Sequence, residues 1–212
     1  MKRKTHKTRR QIQAQKVTIA SKLVQKANSV FNPLETLVHF HEYTSKDCAV
    51  IQLDCKRVTN LLPETLTWIF NLLELNMKAR YEQSNWGWNK IAKEAELTEN
   101  NAWYLIASSE GKMIGFSHFR FDIDNAVEVL YCYELQLEAL ERRKGLGRFM
   151  MNCLEAIAAN NKMQKVVLTV HKHNPMALSF FYKLNYKMDV TNPPPSDGVD
   201  YMILSKQNLQ HV

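Results

Sequence analysis

Between residues 102 and 173 the chain reads as three strands, a basic loop, an amphipathic helix and a fourth strand, and that succession admits few folds. Residues 102–108 (AWYLIAS), 113–121 (MIGFSHFRF) and 128–138 (EVLYCYELQLE) are dense in aromatic and aliphatic side chains. Glu110-Gly111-Lys112 is a hairpin turn that pairs the first two antiparallel. Residues 122–126 (DIDNA) form a polar turn before the third. Residues 146–160 repeat their apolar positions with a helical period, and residues 165–173 (KVVLTVHKH) return to a strand pattern. A helix between two neighbouring strands makes them parallel, whereas tight turns make them antiparallel. The expected class is therefore α/β, with a mixed sheet of about seven strands flanked by helices.

The flanking segments extend this core. Residues 8–30 form an imperfect amphipathic helix, closed by Asn32-Pro33. Residues 48–56 (CAVIQLDCK) alternate as a strand, and Leu62-Pro63-Glu64 opens a long helix with proline in its first turn. Its expected buried face is Leu66, Ile69, Phe70, Leu73 and Met77. Residues 81–88 (YEQSNWGW) read as a loop, residues 89–95 as a short charged helix. Asn174-Pro175 caps a further helix, and residues 186–190 and 201–205 close the sheet around a proline-rich loop. The expected organisation is a basic tail and helix over residues 1–32 and one domain over residues 33–212.

With 45% hydrophobic residues the chain can bury a substantial core. Its four cysteines are scattered and sit among apolar residues, as reduced core thiols do. Net charge is +7, and the first ten residues (MKRKTHKTRR) carry six Lys or Arg and no acid. Such a start is a solvated tail, a nuclear import signal or a nucleic-acid contact, the last without any recognition motif. No apolar run suits a membrane span and none follows the basic start, so the expected location is the nucleus and cytoplasm. His39-x-His41 and His171-x-His173 lack the further ligands of a metal site.

The loop Arg142, Arg143, Lys144, Gly145, Leu146, Gly147 stands between a strand and a helix start. Helix starts expose unpaired N–H groups, and glycines let the backbone approach an anion. With Arg148 these residues make an anion cradle. The pattern R-x-x-G-x-G at this junction resembles the first signature of the GNAT superfamily. Asn174, Ala177, Phe180, Phe181, Leu184, Asn185 and Tyr186 resemble its second. That resemblance implies acetyl-CoA as co-substrate and no metal. The two strands either side of the helix would splay around the pantetheine arm, with backbone groups of Leu135, Gln136 and Leu137 and the side chain of Asn174 binding it. The family's usual acid, a Tyr, is replaced by Phe181. Tyr182 lies one residue later and turns about 100° away.

Several strings narrow the resemblance further. Glu82-Gln83-Ser84 with Trp86-Gly87-Trp88, Ser117-His118-Phe119-Arg120-Phe121-Asp122 and Leu130-Tyr131-Cys132-Tyr133-Glu134 are similar to the NatD-type N-terminal acetyltransferases, over most of the chain. The implied substrate is the free α-amine of histones four and two-A, which begin Ser-Gly-Arg-Gly. A basic tail needs carboxylates, and Asp122, Ile123 and Asp124 supply two of them around an apolar residue. Glu134 is the candidate general base, through a water if needed. Tyr133 would orient the amine or donate to the departing sulfur. Strand alternation places Tyr131 and Tyr133 on one face and Cys132 and Glu134 on the other, unless a bulge intervenes. Tyr81 and Trp86 would form a lip over a small first residue, while Tyr131, Thr169, Thr191 and Tyr201 match peptide-binding positions. The expected enzyme is a monomer acting on histone N-terminal tails, with nucleosomal DNA as a further contact of the basic tail. The alternatives are an acetyltransferase for a lysine side chain or small amine, and a non-catalytic basic binding module.

Overall fold

The computed structural model describes residues 8–207 and Leu209; the basic start over residues 1–7 lies outside them. Among the described residues five α-helices surround an eight-stranded sheet of order β1-β2-β3-β4-β5-β6-β8-β7. The strands are β1 (Glu42–Thr44), β2 (Val50–Arg57), β3 (Trp103–Ser109), β4 (Lys112–Asp124), β5 (Val127–Leu137), β6 (Lys165–His171), β7 (Lys187–Met188) and β8 (Tyr201–Gln207). Among the described strands only β5 and β6 run parallel, joined by α4 (Leu146–Asn160). Their register covers only Val129↔Lys165 to Cys132↔Leu168, after which the strands part. That divergence opens the cleft described below.

The sheet is buried on both faces, which is why its central strands read as nearly continuous apolar runs. Along β3, Trp103, Leu105 and Ala107 face the core under α4, whose Met150, Leu154 and Ile157 are fully buried. Tyr104 and Ile106 face the opposite core with Ile69, Phe70 and Leu73 of α2 (Pro63–Glu82). Each such side chain contributes about 1.5–3 kcal/mol of burial. Leu66 and Met77 sit only partly buried at this core's margin, and Leu72 and Tyr81 join its buried face.

Helix α1 (Arg9–Asn28) starts with a capping box between Thr8 and Gln11 and packs against β4 and β5. Ala20 and Ala27 are buried, their small size allowing close approach. Asn28 fastens its end: Nδ2 donates to Phe121 O at 3.2 Å, and Oδ1 accepts from Trp103 Nε1 at 3.3 Å. The Arg57 guanidinium donates to Asn28 O and lies over the Trp103 ring. The helix stops here, four residues short of Asn32-Pro33, because Ser29 caps it.

Four details depart from the sequence expectation. Strand β1 is an eighth strand, too short and polar to show a period. Strands β4 and β5 run on through Asp124 and from Val127, so only Asn125 and Ala126 turn, both at positive φ (47° and 65°). Tyr81 and Glu82 belong to α2 rather than to a loop. Cys48 is exposed, while Cys55, Cys132 and Cys153 are buried thiols.

Candidate active site

Where β5 leaves β6, a cleft of about 790 Å³ opens between β5, β6, the start of α4 and helix α5 (Pro175–Lys183). The edge of β5 from Tyr133 to Leu137 has no strand partner on this side among the described residues. Its backbone groups are therefore available to a ligand. The loop before α4 forms the floor. Gly145 has φ 100° and Arg143 φ 67°, and a Cβ on Gly145 would collide with Tyr43 Oη. Tyr43 also donates to Lys144 O at 2.9 Å and stacks on Phe149. Strand β1 thus holds the loop from below.

The loop's cations divide into two groups. Arg142 donates to Asn76 Oδ1 at 2.6 Å and to Leu137 O at 3.2 Å, which ties the loop to α2 and β5. Lys144 pairs with Asp47 at 2.7 Å and Glu141 at 3.3 Å, and it holds Asp47 at a pKa of about 2. Lys144 does not line the cleft, nor does Leu146, which is 1% exposed and packs in the core. The expectation that the Lys144 side chain adds charge to the anion cradle is corrected accordingly, since carboxylates engage it, while Leu146 offers its backbone at the helix start. Arg143 and Arg148 do line the cleft, with Lys46, Arg80 and Lys183. Gly147, Asn174, Leu135, Gln136 and Leu137 complete its wall. Asn174 Oδ1 accepts from Ala177 N at 3.3 Å, as a helix cap does. Arg142 lines the cleft as well, so six cations, a helix start and a glycine floor border it, a setting that fits a diphosphate.

Glu134 lines the same cleft, next to Tyr133. The register slips at this point: Phe119 pairs with Cys132 and His118 pairs with Glu134, leaving Tyr133 as a bulge. The extra residue reverses the alternation. Cys132 faces the α4 core, while Glu134 turns toward α2 and α3 (Lys90–Leu97), beside Tyr133. Of the two expectations for this strand, the bulge holds and the simple alternation, with Tyr133 and Glu134 on opposite faces, does not. Glu134 is only 5% exposed. Oε1 accepts from the Tyr81 hydroxyl at 3.4 Å and lies 3.5 Å from Lys93 Nζ; Oε2 accepts from Gln136 Nε2 at 2.9 Å. Burial pushes its carboxyl pKa up, while Lys93 and Gln136 oppose that rise.

Aromatic rings wall this face. The Tyr133 ring stacks on His118 at 4.9 Å and lies tilted to Tyr131 at 5.0 Å, with the Arg120 guanidinium over it at 4.4 Å. Burial pushes the Tyr133 phenol up despite Arg120, so it stays protonated near neutrality. His118 is buried and pushed down to about 3, first by desolvation and then by Arg120. Tyr131 shares a 2.6 Å hydrogen bond with Thr169. Trp86 lies 4.9 Å from the Tyr201 ring and 5.1 Å from His171, and His171 sits edge-on to Tyr81 at 5.1 Å. Asp200 Oδ2 accepts from Asn85 N at 2.6 Å, joining the α2–α3 loop to the loop before β8.

Asp122, Ile123 and Asp124 lie at the far end of β4, partly exposed. Asp122 accepts from Ile123 N, and Asp124 receives Lys165 Nζ at 3.4 Å. Lys165 also meets Asp189 at 2.6 Å. Thr191 is not part of the wall: its amide and hydroxyl both donate to Asp189 Oδ1, at 2.9 and 2.8 Å. That corrects its placement as a peptide contact. Phe181 is buried, and Tyr182 points outward with its hydroxyl near Met202 Sδ. No cluster of three or more His, Cys, Asp or Glu side chains suited to a metal occurs among the described residues. Lys93 and His171 carry no sequence signal for this site. One sits in an ordinary charged helix, the other in a strand-end histidine pair.

A family model described as the acetyltransferase (GNAT) family matches residues 65–186. The 5-NmdU N-acetyltransferase of Pseudomonas phage PaMx11 is 30% identical over 98 residues, 46% of this chain and 66% of that relative's length. The PaiA N-acetyltransferase of Thermoplasma acidophilum, solved with coenzyme A, is 18% identical with a TM-score of 0.54, over 74% of this chain and 99% of that one. Arabidopsis thaliana Naa50, solved with the bisubstrate analogue CoA-Ac-MVNAL, is 17% identical with a TM-score of 0.52, over 74% and 98%. At these identities the likeness to the two structures is one of fold.

Proposed function

The chain belongs to the acetyltransferase (GNAT) family, and from that premise we propose that it acetylates the free α-amine of histone tails beginning Ser-Gly-Arg-Gly. The observation that carries this reading is the bulge at Tyr133. It sets a buried carboxylate and a protonated phenol side by side where β5 and β6 part. A general base and a proton donor are what amine acylation requires.

Acetyl-CoA supplies a thioester, whose carbonyl carbon takes the amine nitrogen as its C–S bond breaks. The protein's share is binding, orientation and proton movement. Arg143, Arg148 and the N–H groups at the start of α4 hold the diphosphate, with Arg142 and Lys144 shaping the loop. Backbone groups of Leu135, Gln136 and Leu137 hold the arm, and N–H groups of the parted strand polarise the carbonyl. An α-amine has a pKa of about 7.7–8.0 and must lose a proton before it attacks. Glu134 accepts that proton, held in place by Tyr81 and Gln136. Tyr133 gives a proton to the departing sulfur.

Specificity follows from the wall. Tyr81, Trp86, Tyr201 and His171 crowd the first residue and favour a small side chain. Tyr131 and Thr169 offer hydroxyls to the peptide backbone. Asp122 and Asp124 pair with the arginine at the third position in charge-assisted hydrogen bonds. The reading places the enzyme, as a monomer, in the nucleus and cytoplasm, where histone tails are found.

Labelled acetyl-CoA with two peptides, both starting Ser-Gly-Arg-Gly and one with a blocked α-amine, tests it. Label confined to the free peptide is expected. Equal label on both peptides contradicts an α-amine substrate.

A further inference from the structure

The geometry points to Lys93 as the positioning residue that keeps Glu134 ionised, so that the base is ready at the pH where the α-amine loses its proton. This rests on the proposed role of Glu134 and adds a residue that the sequence pattern gave no reason to single out.

Lys93 lies on α3, and that helix is fixed from three sides. Asn89 caps it by accepting from Ala92 N at 3.0 Å. Arg120 of β4 donates to Glu96 O at 2.6 Å and pairs with Glu99. Lys93 Nζ lies over the Tyr81 ring, 4.6 Å from its centroid. Nζ then meets Glu96 at 2.9 Å and Glu134 at 3.5 Å. Its side chain is 14% exposed, that of Glu134 4%. A carboxylate this buried is costly to ionise unless a cation or several donors attend it.

The groups around Glu134 come from five elements. From α3 come Lys93 and, behind it, Glu96. From α2 comes the Tyr81 hydroxyl. Gln136 of β5 donates a neutral hydrogen bond. Tyr104 of β3 and His118 and Arg120 of β4 lie beyond: His118 stacks on Tyr104, and the Arg120 guanidinium donates to His118 and lies over Tyr133. Lys93 is the only cation among the described residues that reaches the Glu134 carboxylate within ion-pair distance. Burial pushes Lys93 down, but Glu134, Tyr81 and Glu96 outweigh it and hold the ammonium above its ordinary value. It therefore stays charged throughout the working range. Without it, Glu134 keeps two neutral donors and gains the uncompensated repulsion of Glu96, so its pKa climbs toward that of the amine.

The readout is the slope of log(kcat/KM) against pH between 6 and 7.5, on a Ser-Gly-Arg-Gly peptide. With Glu134 ionised, only the amine titrates and the slope is one. In Lys93→Met two protons must leave, the slope approaches two, and the loss at pH 6 exceeds that at pH 8.5 by more than tenfold. Lys93→Arg restores a slope of one. Calorimetric binding of coenzyme A, unchanged within twofold, reports that each variant is folded. A Lys93→Met enzyme that binds coenzyme A and loses rate uniformly, with slope one, overturns the inference and leaves the proposed function standing. A wild type that leaves the peptide unacetylated overturns both.

Discussion

Cys132 and Glu134 lie two residues apart on one strand yet face opposite sides of the sheet, because Tyr133 bulges between them. A regular strand would put both on the same face and send Glu134 into the α4 core with Cys132. The bulge delivers the carboxylate to Tyr81, Gln136 and Lys93 instead. The proposed chemistry depends on that one irregularity.

The first prediction concerns the carboxylate. Glu134→Gln keeps the shape and can still accept from Tyr81, but it cannot take a proton. Turnover should fall by about 10²–10⁴, the usual worth of a general base. Steady-state kinetics should show this loss while calorimetry finds coenzyme A affinity within twofold of wild type. Unchanged turnover would assign the base elsewhere.

Gly145 sits at φ 100° directly over the Tyr43 hydroxyl. Gly145→Ala adds both backbone strain and a clash, so coenzyme A affinity should weaken by about tenfold or more. Adding Tyr43→Phe removes the clashing oxygen and should recover part of the affinity, never all of it. Isothermal titration of both variants measures this. No recovery would mean that the clash contributes nothing.

If Asp122 receives the substrate arginine, Asp122→Asn should raise peptide KM by about tenfold, the worth of a charge-assisted hydrogen bond of ~1.5 kcal/mol. The same substitution should have little effect on a peptide with alanine at its third position. A cycle of the two enzymes against the two peptides isolates the pair. Equal effects on both peptides would remove Asp122 from the site.

Asp189 is buried against Lys165, Ser205 and Thr191, which overcome desolvation and hold its pKa at about 2, below the ordinary 3.8. Because the folded value is the lower, the pair contributes about 2 kcal/mol above pH 4, and this is lost as pH falls toward 2. Asp189→Asn should be clearly less stable than wild type in urea at pH 6, with the gap narrowing between pH 4 and 2. A constant gap would show that the charge is not its source.

Local features of this molecule were legible in its sequence. Gly145 and Gly147 marked the loop, Pro63 and Asn174-Pro175 marked two helix starts, and residues 146–160 carried a clean helical period; all three act through neighbours in the chain. What was hidden, or left open as the bulge was, depends on pairing across the sheet. The bulge at Tyr133 exists only because β4 and β5 slip between His118 and Phe119. Asp122 and Asp124 look like turn residues but lie in a strand, since pairing with β5 continues to Val127. Lys93 is one charge in a charged helix until Arg120 draws that helix over Glu134. Lys144 looks like an anion ligand until Asp47 arrives from the β1–β2 hairpin.

The most direct measurement locates the acetyl group on a peptide that offers both kinds of amine. A Ser-Gly-Arg-Gly-Lys peptide with a free N-terminus, incubated with enzyme and acetyl-CoA under single-turnover conditions, can be sequenced by tandem mass spectrometry. Acetyl on the serine α-amine alone is the predicted result. Acetyl on the lysine side chain, with the α-amine untouched, would contradict it.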